Sequence, residues 1–411
     1  MSNSTQTPSP ATYTLLSLPA TAMGFALCVQ ISALSWILST KYHLDISKVG
    51  LVWLSGPLAG IIGQLLVGVA SDQTWFWGGR RRPFILIGGT IAALMLLCLP
   101  NLGQIASFFG IANMMAVALC VALTLDLAIN VSFNPTRSLI ADMTPEGEAR
   151  TKGYTWMQTI SGFFGVAAYL ISAFTNNYVL IYLGVILVLL FSIIPPLFIQ
   201  EPRELSPALN QSSNPAPVNT QTQTTELWKI YIAHGFTWLG VQTMFVYIFA
   251  YIQQKMNLPN DDTIGQTIGY AFAILNTVGF LLPLLVLTPI SRQIGRVRTH
   301  AISLVIMSLA YWGIAAMGKS TLALYAFMLM AGIGWASVVS IPFAIFSDKV
   351  NQEKMGWYMG IFNLSVVIPQ IIVSGIFGKI IENAADKNII FIICGTSLAI
   401  SALIWSMVKE K

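Results

Sequence analysis

The chain has 411 residues, 55% of them hydrophobic and only 9% charged, with a formal net charge of +5 and a mean hydropathy of +0.71. A water-facing surface on a soluble domain carries about a quarter charged residues, so a soluble globular protein is excluded; the surplus apolar surface must face lipid, since the alternative is an aggregating patch. The basic residues are dispersed among loops without a stripe of interleaved aromatics, which excludes a nucleic-acid-binding surface.

The N-terminus, "MSNSTQTPSP", is polar and uncharged. It lacks the basic region of a cleavable signal peptide, so residues 1–15 are expected to form a cytoplasmic tail and the first apolar run to remain in the mature protein. A membrane-crossing helix needs roughly 20 mostly apolar residues. Twelve candidates follow: 16–39, 48–70, 83–101, 106–140, 154–174, 177–199, 228–252, 264–287, 299–317, 321–347, 356–379 and 388–408. The fourth exceeds one crossing and contains Pro135, so its end is expected to bend or protrude. None shows the alternation of a barrel strand, and lipid tolerates no unpaired backbone, so an all-α integral membrane protein is predicted. Cys28, Cys98, Cys120 and Cys394 each fall inside an apolar run with no CxxC or Cys/His spacing; no disulfide framework or metal site is expected.

Between the sixth and seventh spans the text changes to "EPRELSPALNQSSNPAPVNTQTQTTE", a composition that cannot bury a core. Residues 201–227 therefore read as a cytoplasmic linker between two six-helix bundles, 16–200 and 228–408. The halves echo one another. Gly79-Arg80-Arg81-Arg82 has its counterpart in Gly295-Arg296-Val297-Arg298, and Asp142 in Asp348, each acid following a helix that contains a proline, Pro135 or Pro342. Duplicated six-helix units of this kind are the pattern of alternating-access transporters, with the substrate near the midplane between halves.

All nine arginines lie in the linker, in the loops after the second, fourth and eighth spans, or at the end of the fourth span. The intervening loops carry only scattered lysines, so both termini are expected in the cytoplasm. There the acids and arginines offer ion pairs: Asp72 with Arg80, Arg81 and Arg82; Asp142 with Arg137 and Arg150; Asp348 with Arg292 and Arg296. An exposed pair contributes only ~0–1 kcal/mol, but a network can bias a two-state equilibrium of a few kcal/mol. These residues are expected to form a gating latch. The plainer alternative is that the arginines only fix topology.

"WLSGPLAGIIGQLLVGVASD…GGRRRPFILIGG", "LDLAINVSFNPTRSLIADM" and "GIFNLSVVIPQ" resemble the sucrose-transporter branch of the major facilitator superfamily, which includes plant sucrose–proton symporters and their bacterial and animal relatives. The second stretch matches the branch's signature at Asp126, Ala128, Asn130, Pro135, Arg137, Ala141 and Asp142. The resemblance implies twelve transmembrane helices in two pseudo-symmetric bundles, and proton-coupled symport of a neutral sugar such as sucrose or maltose. After the seventh span the chain reads "YIQQKMNLPNDD" where plant members carry an Asp-Thr-Asp-Trp-like stretch. A bacterial protein of the inner membrane, acting as a monomer, is expected.

Asp126 is the only acid deep within a span. A carboxylate there costs several kcal/mol unless it is paired, hydrated or protonated; gaining a proton on one side and losing it on the other would couple transport to the proton gradient. The resemblance implies the same role. A structural carboxylate is the alternative. Asn130 follows one turn later and is read either as a sugar ligand or as orienting the Asp126 carboxyl. Polar side chains are scarce in spans, so each is a candidate sugar ligand: Gln30, Gln64, Gln158, Asn363 and Gln370, with Trp238 and Gln242 in a four-residue stripe that begins at His234. Helix–helix hydrogen bonds explain each equally well. No Walker A loop, nucleophile elbow or HExxH motif occurs, so no covalent chemistry, cofactor or metal is expected. Efflux of another small molecule, sodium coupling, a non-transporting sensor and a membrane-embedded enzyme stand as alternatives.

Overall fold

In lipid the backbone must satisfy its own hydrogen bonds, and the computed structural model, which describes residues 8–63, 74–145, 148–201, 222–350 and 355–410, does so with helices. Among the described residues, 12 helices are long and apolar enough to cross a membrane. They are α1 (Pro10–Thr40), α2 (Ile46–Gly63), α3 (Arg82–Phe109), α4 (Met114–Met143), α5 (Glu148–Phe174), α6 (Asn177–Phe198), α7 (Thr224–Lys255), α8 (Asp261–Leu282), α9 (Arg296–Met317), α10 (Thr321–Ser347), α11 (Trp357–Asn383) and α12 (Asn388–Ser406). The all-α twelve-span architecture expected from the sequence is present.

Several boundaries differ, each for a local reason. α1 starts six residues before the predicted span. Ser9 Oγ accepts the Thr12 N–H at 3.2 Å, and Pro10 occupies the first helical position, where its missing N–H costs nothing. The third span runs on to Phe109, and residues 106–109 belong to it rather than to the fourth. Gly110 ends α3 in the left-handed region at φ 66°, and Asn113 Oδ1 accepts the Ala116 N–H at 3.3 Å to start α4. Hydropathy ran across both signals because they sit inside "FFGIANMM". α7 starts at Thr224, inside the expected linker, with Glu226 in its first turn.

Helix starts on α6, α8 and α10 use the same local device as α4. Asn176, Asn260 and Ser320 accept N–H groups at 3.0, 2.8 and 3.2 Å, satisfying donors that the helix itself cannot. A π-helical turn, Pro283–Leu287, follows directly on α8, and α11 contains another at Val373–Phe377. The carbonyls it displaces find side-chain donors: Thr288 Oγ1 donates to Pro283 O at 2.7 Å, and Tyr247 Oη to Val373 O at 2.9 Å.

The chain divides into two compact units. One comprises Met1–Ile37, Leu58–Ile171 and Thr175–Pro215; the other comprises Leu38–Pro57, Ser172–Phe174 and Ala216–Lys411. In the first, α3 packs on α4 and α6, and Leu16, Ala20, Ile85, Leu139, Ile140, Met157 and Ile199 bury a cluster drawn from four helices and the α6 exit. In the second, α9 packs on α10 and α12, the same pairing six helices on. Outer faces remain apolar: Ile302, Val305 and Leu309 of α9 are about half exposed, a stripe that only a bilayer accommodates.

Candidate functional site

In the first unit, Asp126 lies roughly 18 Å along α4 from Met114 at 1.5 Å per residue, and it is 4% exposed. Gln30 of α1, also buried, donates its Nε2 to Asp126 Oδ2 at 3.1 Å. The two residues stand 96 positions apart, so no spacing in the sequence could pair them. A neutral amide satisfies a lone pair of the carboxyl without supplying an opposite charge. Asn130 does not orient that carboxyl. Its Nδ2 donates to the Asp126 main-chain carbonyl at 2.8 Å, the back-bond available to a short amide one turn on. Gln158 of α5 is exposed. Gln64 and Asp72 lie outside the described residues.

In the second unit, the predicted α7 stripe gathers partners from α8, α10 and α11. Gln242 is buried and accepts from Gln370 Nε2 at 3.3 Å; Asn363, two turns before Gln370 on the same face of α11, is half-buried. Trp238 Nε1 donates to His234 Nε2 at 3.0 Å, and the His234 ring stacks on Phe362 at 4.7 Å. A ring nitrogen that accepts an indole N–H carries no proton, so His234 is neutral and serves to set the Trp238 indole. Two residues absent from the sequence reading complete the cluster. Trp335 of α10 donates Nε1 to Asn276 Oδ1 of α8 at 3.3 Å, and its ring meets Trp238 and Phe245 edge-on at 6.3 and 5.5 Å. The signal was there, since Asn276 is a polar side chain inside a span. The result is a set of indole faces beside amide groups, the combination that binds the C–H faces and hydroxyls of a sugar.

At one end of each unit the charges form repeated sets. Arg81 Nε pairs with Asp142 Oδ2 at 3.0 Å, both nearly buried, and Arg296 pairs with Asp348. Asp142 is therefore served by Arg81 rather than by Arg137 or Arg150. Arg137 lies 4.3 Å over the Phe133 ring, and Arg150 donates to the carbonyls of Ala141 and Thr144. Arg292 is exposed, and its side chain makes no hydrogen bond among the described residues. One carboxylate not foreseen from sequence completes each set. Glu201, just past α6, accepts the main-chain N–H groups of Arg80, Arg81 and Arg82 at 2.7, 2.8 and 2.6 Å. Glu410, past α12, accepts those of Arg296 and Val297 at 2.6 and 2.9 Å. Each caps a helix start, α3 or α9, where the helix dipole favours a negative charge. Gly79 and Gly295 give them room: a Cβ on Gly79 would collide with Glu201 Oε1, and one on Gly295 would lie 2.7 Å from Glu410 Oε2.

Three comparisons bear on this arrangement. The sequence model of the Major Facilitator Superfamily matches residues 15–374. The chain is 25% identical over 389 residues to a sucrose transport protein of Arabidopsis thaliana, covering 79% of this chain and 75% of that one. It is 27% identical over 172 residues to the general alpha-glucoside permease of Schizosaccharomyces pombe, covering 40% and 31%. Among solved structures, the nucleoside transporter NupG (D323A mutant) superposes with a TM-score of 0.75 at 14% identity, covering 97% of this chain and 99% of that chain; at that identity the likeness is one of fold.

Proposed function

The chain belongs to the Major Facilitator Superfamily and is a multi-pass membrane protein, and from that premise we propose that it is a secondary active transporter carrying a neutral sugar together with a proton by alternating access. The observation that carries the reading is Asp126, sealed within the first unit halfway along α4 and held by the neutral amide of Gln30. A carboxyl so enclosed is costly when charged, and protonation removes that cost, so the charge state of one group sets the energy of the surrounding helices. Proton entry and exit at Asp126 then bias the two conformations of the carrier.

Sugar as substrate is supported by the similarity to sucrose and alpha-glucoside carriers and by the indole and amide cluster of the second unit. In the second unit Trp238 and Trp335 offer faces to sugar C–H groups, while Gln242, Gln370 and Asn363 offer hydroxyl partners; in the first unit Gln30, Gln158 and Asn130 are candidate sugar ligands in their own right. The Arg81–Asp142 and Arg296–Asp348 sets, with Arg80, Arg82, Arg137 and Arg292 around them, act as the latch that one conformation makes and the other breaks. The arginine distribution supports cytoplasmic termini; the carrier so proposed is a monomer of a bacterial inner membrane that performs no covalent chemistry, with two six-helix bundles joined by a linker that begins at 201 and ends where α7 starts at Thr224.

The test is uptake of labelled sucrose and maltose by intact cells, with and without a protonophore. Accumulation above the external concentration should vanish with the protonophore and in Asp126→Asn, while surface expression is unchanged. Sodium-dependent accumulation, or gradient-driven uptake by Asp126→Asn equal to wild type, would overturn proton coupling. Failure of every mono- and disaccharide would overturn the substrate class.

A further inference from the structure

We infer that the hairpin ahead of α3 is a docking site for the headgroup of an anionic phospholipid. The chain turns back on itself at Trp77 and Gly78, with Phe76 and Gly79 exchanging N–H to carbonyl hydrogen bonds at 3.2 Å in both directions. Trp77 holds φ 51° and Gly78 φ 78°. Two successive left-handed residues make the tight mirror-image turn of a two-residue hairpin. Glycine suits it; a bulky indole rarely adopts that backbone, and strain of this kind marks a position kept for what its side chain does. That side chain points outward. Trp77 is 62% exposed, with Trp75 at 37% and Phe76 at 39% beside it. The turn is held in place from behind: Phe76 meets Phe84 of α3 edge-on at 6.2 Å, and Glu201 clamps the three N–H groups that follow.

Beside these rings, two of three guanidinium groups are unpaired among the described residues. Of the three consecutive guanidinium groups, Arg81 is engaged by Asp142. Arg80 and Arg82 form no ion pair among the described residues, and Arg82 Nε has no hydrogen-bond partner. Arg82 Nη1 lies 3.6 Å from the point a Cβ on Gly78 would occupy, so its guanidinium sits against the turn that presents Trp77. The hairpin also opens directly onto a lipid-facing surface: Ile87, Leu94 and Leu97 of α3 are each more than a third exposed, at spacings that keep one helix face. Exposed indoles settle at the headgroup level of a bilayer, and a guanidinium pair fits a phosphodiester in a fork geometry that a lysine lacks. The occupant so described has a phosphate at the height of Arg80 and Arg82, acyl chains along α3, and a net negative charge, which separates it from zwitterionic lipid.

The experiment is native mass spectrometry of the full chain extracted from bilayers holding equal amounts of phosphatidylglycerol and phosphatidylcholine. Wild type should retain phosphatidylglycerol in excess, and Arg80→Gln/Arg82→Gln should lower the ratio by roughly fivefold per arginine. Trp77→Gly relieves the left-handed strain, so it should melt no lower than wild type and still lose phosphatidylglycerol; this variant separates lipid binding from folding. Equal retention of the two lipids by wild type, an unchanged ratio in the double variant, or wild-type retention by Trp77→Gly would each overturn the site.

Discussion

Glu201→Ala tests whether the carboxylate past α6 is a structural cap. In the native protein it accepts three main-chain N–H groups at 2.6–2.8 Å at the start of α3, while Glu410 accepts two at the start of α9. Loss of a side-chain N-cap costs about 0.5–2 kcal/mol, and loss of a negative charge at a helix N-terminus a further ~0.3–1 kcal/mol. Glu201→Ala should therefore lose about 1–3 kcal/mol, roughly 3–10 °C of melting temperature for a unit of this size; Glu410→Ala should lose less, having one donor fewer to strand. Gly79→Ala provides an independent route to the same end, because its methyl would occupy the place of Glu201 Oε1. If both variants act by evicting one carboxylate, the double variant should melt no lower than the worse single one. The assay is intrinsic fluorescence of the detergent-solubilised protein on heating. A Glu201→Ala melting temperature within about a degree of wild type, or additive losses in the double variant, would refute the cap.

Gln30→Met keeps the volume but removes the donor to Asp126 Oδ2; a lost hydrogen bond to a carboxylate costs ~1.5–3 kcal/mol, so maximal sugar uptake should fall tenfold or more, measured at matched surface expression. Gly279→Ala would put a methyl 2.6 Å from Trp335 Cδ1 and turn the indole away from Asn276. Uptake kinetics should show a raised KM for sugar, reproduced by Asn276→Leu, and an unchanged KM in both would remove Trp335 from the substrate cluster. Ser337→Ala strands the fully buried His300, whose Nδ1 lies 2.6 Å from Ser337 Oγ. A buried polar group left unpaired costs about 1–3 kcal/mol, so the melting temperature should drop while the KM for sugar stays the same.

Much of the architecture was legible because a bilayer reduces helix prediction to counting apolar residues. Asp126 stood out for the converse reason, as an acid in a run with no business holding one. Errors arose where local chemistry overrode hydropathy: Gly110 and Asn113 break an apolar stretch, and Ser9-Pro10 starts a helix inside a polar one. What the sequence withheld is long-range. Gln30 and Asp126, Glu201 and Arg80, and Trp335 and Asn276 meet across helices, and only the packing of α1 on α4, α3 on α6 and α8 on α10 brings them together. The repeat in Gly-Arg motifs was readable; the carboxylate past each sixth helix, which anchors those motifs, was not, because Glu201 opens a polar linker and Glu410 sits among ordinary terminal charges.

The π turn at Val373–Phe377 makes α11 two rods sharing one axis. Each such turn holds a residue more than an α-helix of the same rise, so side chains beyond it are re-phased by about 100°. A tolerance map of α11 should follow one helical phase up to Ile372 and another from Gly378. Removing any single residue from that turn, a change that ordinarily scrambles a helix, would here restore regular pitch and swing Glu382 off the Ser47 N–H it now accepts at 2.8 Å. The segment is the place where shortening this protein by one residue becomes a clean mechanical edit.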